Sequence, residues 1–404
     1  MKQIEGGVCA AKGFYANGVH CGIRRGREKR DLALIYSEFP ASAAAVYTKN
    51  LVKGAPLAVT KANISDGSAR AVICNSGHAN TCNSNGIEIA EQTCALLADK
   101  LGIAAGDVIV ASTGVIGQPL DIAPIASGIA PLCEGLAPDG SDLAAEAIMT
   151  TDTKLKSAAF AFDIGGVEFR VGGIAKGSGK IHPNMATMLV FVTTDCAITP
   201  QMLQKALSAD VKDSFNMISV DGDTSTNDMV SVMANGAAGN PVIDAGGADF
   251  DAFREALAAV TKTLCRAIAA DGEGATKLLE CSVTGASDSD AARTVAKSVV
   301  CSSLLKAAMF GADANWGRVL CAVGYSGVDT DVTKIGVSFA SDAGAIEVCR
   351  DGAGVDFSEE KAKEILSQGE IKINVSLGDG DASAVAWGCD LTYDYVKING
   401  DYRT

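Results

Sequence analysis

Histidine is almost missing from this chain: His20, His78 and His182 are all it has. None stands beside a GxSxG turn, so acyl transfer driven by a histidine-activated nucleophile has little footing, and such chemistry would need another base. Aromatic residues make up only 5%, and the interior must therefore be built from Ala, Val, Ile, Leu and Met. Positive charge is short too, with 34 Lys and Arg against 48 Asp and Glu and a net charge of −14. Nucleic acid and anionic membranes would meet net repulsion, and neither is expected as a partner. No uncharged apolar run reaches the ~18 residues of a membrane span, and the opening "MKQIEGGVCAAKGF" has no apolar signal core. A cytoplasmic location is expected.

Cysteine, by contrast, is plentiful. The thirteen cysteines are odd in number and sit mostly among apolar neighbours, as in "KTLCRAI" and "RVLCAVG". Without a secretion signal they read as reduced core residues. At 404 residues the chain exceeds what one core usually serves, so two or three packed units are expected.

Apolar spacing predicts a helix through Ala90, Cys94, Leu97 and Leu101, and another through Phe250, Phe253, Leu257, Val260 and Leu264. Strands are expected over 71–75, 108–112, 159–164, 168–175, 188–194, 335–340 and 371–377. Several strands come in hairpin-like pairs, with Gly165 and Gly166 at one turn. The fold class is therefore α/β in the mixed α+β sense, with helices packed around mixed or antiparallel sheets. The Gly- and Asp-rich stretch 240–249 reads as a linker.

Four motifs invite a function. "GSGK" lacks the flanking residues of a phosphate loop, since the required Gly and Ser/Thr positions hold Ile174 and Ile181, and a GxGxxG reading fails at His182. "CNSGHANTC" spaces Cys74, His78 and Cys82 as a helix would space metal ligands, but its Asn, Ser and Gly content after a strand reads as a tight loop without a fourth ligand. "VDGDTSTND" departs from a calcium loop, because Val232 stands where a Glu is needed; it reads as a loop whose Asp and Thr side chains cap their own backbone. No metal is expected.

The fourth, "KGSGKIHPNMATML", sets Thr187 after small Ala186 at the seam between a Gly/Pro-rich loop and a strand-forming run. Thr187 reads in two ways. It is either a β-branched residue entering a sheet or a hydroxyl able to attack the Ala186 carbonyl, shift the acyl group from N to O and expose its own amine. Such an amine, with a pKa of about 7.7 to 8.0, could deprotonate the neighbouring hydroxyl without any histidine.

That string is similar to the self-processing segment of the ornithine acetyltransferase family, also called glutamate N-acetyltransferase. The similarity continues through "NSGHANTCNSNG", "ASTGVIGQPL", "AIMTTDT", "VDGDTSTND", "DGEGATK", "FGADANWGR" and "YVKINGDYRT". The resemblance implies cleavage between Ala186 and Thr187 into an alpha chain, 1–186, and a beta chain, 187–404, assembled two and two. It implies a ping-pong transfer of acetyl from N-acetylornithine through Thr187 to glutamate, and a fold resembling N-terminal-nucleophile hydrolases with different strand connectivity. It further implies Thr113 and Gly114 as oxyanion donors, and Thr150, Lys176, Thr187, Glu273, Asn399 and Thr404 as substrate contacts. Without the resemblance, "STG" at 112–114 reads first as an ordinary strand-to-loop turn. No cofactor is implied, although acetyl-CoA as an additional donor stays open. Lys180 and His78 depart from the family pattern. A self-processed amidase or aminopeptidase, in which water resolves the acyl-enzyme, is the competing expectation.

Overall fold

Gly165 and Gly166, with φ of 60° and 85°, turn the chain between Lys156–Ile164 and Val167–Lys176. Two successive residues at positive φ give the turn whose twist matches an antiparallel pair, and the two strands are antiparallel along their whole length. This hairpin belongs to the larger of two mixed sheets in the computed structural model, which describes residues 1–24, 26, 28–181 and 188–401.

The larger sheet has nine strands, in the order Lys2–Ile4, Lys156–Ile164, Val167–Lys176, Leu189–Thr194, Met229–Ala234, Leu32–Tyr47, Ser68–Asn75 and Val108–Ser112. Phe14–Val19 pairs beside this path with Leu32–Tyr47. Leu189–Thr194 runs parallel to Met229–Ala234, and Ser68–Asn75 parallel to Val108–Ser112. The second sheet runs Ala353–Gly354, Gly344–Arg350, Gly336–Ser341, Glu370–Ser376, Leu278–Ala286, Ala382–Cys389 and Ile218–Ser219. Mixed sheets with helices packed on them are the expected α+β class.

Both predicted helices form. Gly86–Leu101 buries Ala90, Cys94 and Leu97 against strands of the larger sheet. Ala248–Ala270 buries Phe250, Phe253, Leu257, Val260 and Leu264 and lies against strands of both sheets, so one apolar stripe serves two surfaces. Just before it, part of the stretch expected to be a linker is tied down, since Ile243 bridges to Ile198 and accepts a hydrogen bond from the Thr199 N–H. All seven predicted strands occur within a few residues of their expected limits.

The longest strand, Leu32–Tyr47, has no clear sequence signature. Its pairing with Ser68–Asn75 shifts register between Tyr36 and Ala41, around Pro40, which has no N–H to donate. A bulge of this kind destroys the two-residue alternation by which a strand is recognised. Among the described residues, no helix is long and apolar enough to cross a membrane.

Candidate active site

The ends of several strands converge on one polar pocket. It is lined by Thr113, Gly114, Thr150, Lys176, Lys180, Met188, Asp228, Glu273 and Asn399 among others, and holds about 680 Å³ of empty space including its open mouth. Thr113 and Gly114 follow the buried strand Val108–Ser112. The Thr113 N–H is already used, donating to the Asn75 carbonyl at 2.9 Å, so only the Thr113 hydroxyl is left to face a ligand. The Gly114 N–H has no partner among the described residues. Gly114 sits at φ 125°, and a Cβ there would collide with the Gly77 carbonyl, so only glycine fits the turn. A hydroxyl and a free N–H on adjacent residues can together stabilise a developing oxyanion. Asn227 fastens this turn to its neighbours, its amide donating to the Ser112 carbonyl at 2.9 Å and to the Ala79 carbonyl.

Lys176 ends the strand Val167–Lys176 and pairs in register with Leu189, two residues beyond Thr187 in the chain. Its side chain is buried, and its ammonium lies 3.4 Å from the Thr113 hydroxyl. Burial lowers its pKa, while Asp152 and Asp228 pull it back up. Asp228 is raised well above the usual carboxylate range, first by burial, against the pull of Ser225, Lys176 and Thr48. Its Oδ2 is buried without a hydrogen-bond partner among the described residues. An ammonium and a carboxyl that are both strongly desolvated, facing one cavity, mark a site prepared for a charged ligand.

Beneath this wall lies a closed ionic cluster. Lys156, 1% exposed, reaches Asp152 Oδ1 at 2.7 Å and Asp271 Oδ2 at 2.6 Å. Burial alone would raise the Asp152 carboxyl, but Lys176 and Lys156 outweigh it and hold it at about 2. Asp152 also accepts from the Thr150 N–H at 3.0 Å and the Gly177 N–H at 2.7 Å. Asp271 accepts from the Thr153 N–H and hydroxyl, and its carbonyl accepts from the Ser178 hydroxyl at 2.7 Å. Ser178 in turn takes the Glu273 N–H at 3.0 Å. The three segments bearing Thr150, Lys176 and Glu273 are thereby held together by one lysine and two carboxylates.

Six expected site residues, Thr113, Gly114, Thr150, Lys176, Glu273 and Asn399, share this pocket, although they are far apart in sequence. Asn399, on the helix Tyr393–Asp401, donates through Nδ2 to Glu273 Oε2 at 2.8 Å. Ala186, Thr187 and Thr404 lie outside the described residues, but Met188, the residue after Thr187, lines the pocket. The segment "CNSGHANTC" ends the strand Ser68–Asn75 with Cys74 and Asn75 and continues as a loop, with Asn80 and Cys82 at positive φ. In "VDGDTSTND" the expected self-capping occurs, as in the Asp223 N–H to Asp221 Oδ1 bond of 3.2 Å. That loop also supplies Ser225 through Asp228 to the pocket, which the capping reading missed. Asp152, Lys156 and Asp271 were missed as well. Lys156 had a legible signal, since strand alternation puts it on the face of Ala158, Phe162 and Ile164, all buried.

A family model described as the ArgJ family matches residues 15–404. The "Arginine biosynthesis bifunctional protein ArgJ" of Caldanaerobacter subterraneus subsp. tengcongensis is 50% identical over 405 residues, covering 100% of each chain. The protein of the same name from Symbiobacterium thermophilum is 50% identical over 406 residues, again covering 100% of each. Among solved structures, "Arginine biosynthesis bifunctional protein argJ" from Bacillus halodurans matches with 48% identity and a TM-score of 0.51, over 54% of this chain and 100% of that chain.

Proposed function

The chain belongs to the ArgJ family of arginine-biosynthesis enzymes, and from that premise we propose that it moves acetyl from N-acetylornithine to glutamate through an ester on Thr187. In the precursor, the Thr187 hydroxyl attacks the Ala186 carbonyl, the acyl group shifts from N to O, and water cleaves the ester. The products are an Ala186 carboxylate and a Thr187 α-amine. In turnover that amine takes the hydroxyl proton as the oxygen attacks the acetyl carbonyl. The Thr113 hydroxyl and the Gly114 N–H meet the oxyanion, and the proton passes to the departing ornithine amine. Glutamate's amine then attacks the acetyl ester by the same steps in reverse.

Lys176 suits the α-carboxylate common to both substrates, and Glu273 the ornithine ammonium, with Thr150, Asn399 and Thr404 as further contacts. Both half-reactions are acyl exchanges without change of oxidation state, so no cofactor or metal is required. The working unit is a cytoplasmic assembly of two alpha chains, 1–186, and two beta chains, 187–404.

The observation that carries this reading is the convergence of an oxyanion-type pair, a desolvated lysine and Glu273 on a pocket lined by the residue that follows Thr187. A second observation agrees with it. Residues 187–404 amount to 218 of 404, or 54% of the chain, and the solved Bacillus halodurans chain matches over its full length to 54% of this one. Mass spectrometry of active protein should find a fragment starting at Thr187, and Thr187→Ala should abolish both cleavage and acetyl transfer. Active material that is wholly uncut would sink the proposal. Acetate appearing in place of N-acetylglutamate would favour the amidase alternative. Acetyl-CoA with glutamate, in the absence of N-acetylornithine, separates one acetyl donor from two.

A further inference from the structure

Ile181 and Met188 flank the stretch that contains the proposed scissile bond, and a single loop, from Val220 to Met229, holds both of them. At Ile181 the Val220 N–H donates to the carbonyl at 2.7 Å. The Asp221 carboxylate accepts the Ile181 N–H at 2.8 Å through one oxygen and the Lys180 N–H at 2.6 Å through the other. At the far side the Met229 N–H donates to the Met188 carbonyl at 3.0 Å, and Met229 pairs in parallel register with Leu189.

Both roots of this loop are fixed. Val220 follows Ser219, which pairs with Gly388 in the second sheet, and the Val220 carbonyl accepts from the buried Lys306 ammonium. Met229 opens a strand of the larger sheet. Between the roots, Asp221 also takes the Asp223 N–H at 3.2 Å, the Asp228 carbonyl accepts from the Thr48 N–H at 3.0 Å, and the Ser225 carbonyl accepts from the Thr48 hydroxyl at 2.9 Å. The loop is thus a spacer of set length between Ile181 and Met188.

Lys180 sits at φ 54°, a left-handed conformation that a residue with a Cβ keeps only where its surroundings hold it. Asp221 supplies that hold. It does so through backbone N–H groups alone, so the side chain at position 180 is irrelevant to it. Attack by a hydroxyl on the peptide carbonyl just before it is fast only when the chain is already arranged for it, because fixing the reacting groups beforehand removes an entropic part of the barrier.

We propose that Asp221 is a positioning residue for self-cleavage, its carboxylate fixing the backbone at Lys180 and Ile181 so that the chain ahead of Thr187 is presented to the attacking hydroxyl. This rests on the self-cleavage reading above. Asp221 itself makes and breaks no covalent bond. After the cut the same contacts tie the two chains, since Asp221 belongs to 187–404 and its partners to 1–186. The pocket walls at Thr150, Lys176 and Glu273 are held separately, by Asp152, Lys156 and Asp271.

The test separates cleavage from turnover. Labelled precursor from cell-free translation, followed on denaturing gels after translation is stopped, gives the rate of cleavage, and protein incubated until fully cut gives kcat and KM. Asp221→Ala should cleave about tenfold or more slowly, the loss expected when two N–H groups are deprived of a charged acceptor. Asp221→Asn, which keeps one acceptor oxygen, should fall between it and the parent, and it serves as the test if Asp221→Ala does not fold. Once cut, the variants should keep kcat and KM within about threefold of the parent, since the interaction lost acts before turnover begins. Unfolding midpoints in the uncleavable Thr187→Ala background should stay well above the assay temperature. Cleavage at the parent rate overturns the proposal, and so does a loss of kcat in the cut variant as large as the loss of cleavage rate, or a precursor already unfolded at the assay temperature in both variants. An unsubstituted protein that is never cut would instead bring down the reading beneath it.

Discussion

Two lysines on adjacent strands of one hairpin are both buried, yet their surroundings differ. Lys156 is enclosed between Asp152 and Asp271, with both contacts below 3 Å. Among the described residues Lys176 meets only a hydroxyl, at 3.4 Å, and it faces a cavity. A buried charge whose partners are all protein groups is part of the scaffold, because desolvation is offset internally. One whose burial is offset by distant carboxylates alone keeps binding capacity for a ligand. Completeness of pairing, more than burial, separates floor from site.

Removing the inner lysine should have the largest effect on the fold. Lys156→Met leaves two buried carboxylates facing each other without their shared cation, at a cost of ~3–5 kcal/mol. Chemical denaturation would show this as a lower midpoint, and an unchanged midpoint would dissolve the distinction between the two lysines. On the site side, Thr113→Val removes the hydroxyl but keeps the backbone bond to Asn75. It should lower kcat by about 10²–10³ with little loss of stability; a kcat within a few-fold of the parent would remove Thr113 from the oxyanion role. Lys176→Met should raise KM for both substrates about 10- to 100-fold while changing stability by less than about 1 kcal/mol, since its burial cost and its attractions largely offset. A loss of stability matching that of Lys156→Met would place both lysines in the scaffold.

The smallest effects concern pH. Because Lys176 is lowered from its ordinary value, KM should begin to climb at an alkaline pH below that of an exposed lysine. Its linked contribution to stability has the opposite sign: between its folded pKa and the ordinary value the unfolded chain holds more protons, so stability from this group rises with pH. Asp152, held at about 2, stabilises the fold above its ordinary carboxylate pKa, and that contribution is lost as pH falls from there through about 2. Titrating KM and the unfolding midpoint over both ranges, with Lys176→Met as control, resolves the two.

The hairpin at Gly165 and Gly166 and the helix Ala248–Ala270 were legible because each obeys a local rule, positive φ in one and a 3.6-residue stripe in the other. Leu32–Tyr47 was not, because its bulge breaks the local rule to satisfy two partners at once. The same division runs through the site. Thr113, Gly114, Lys176 and Glu273 were named from motifs, whereas the role of Asp228 depends on which cation lies across the cavity. The Thr113 hydroxyl became the available donor only once Asn75 was seen to occupy its N–H.

Local order in the chain settled those strands, helices and turns that obey a local rule, and its motifs supplied the residues expected at the site. The fold alone decided which charges are paired and which are left open. Ion pairing and desolvation depend on groups brought together from distant parts of the chain, as Lys156 and Asp271 are across 115 positions, and no local pattern encodes that distance.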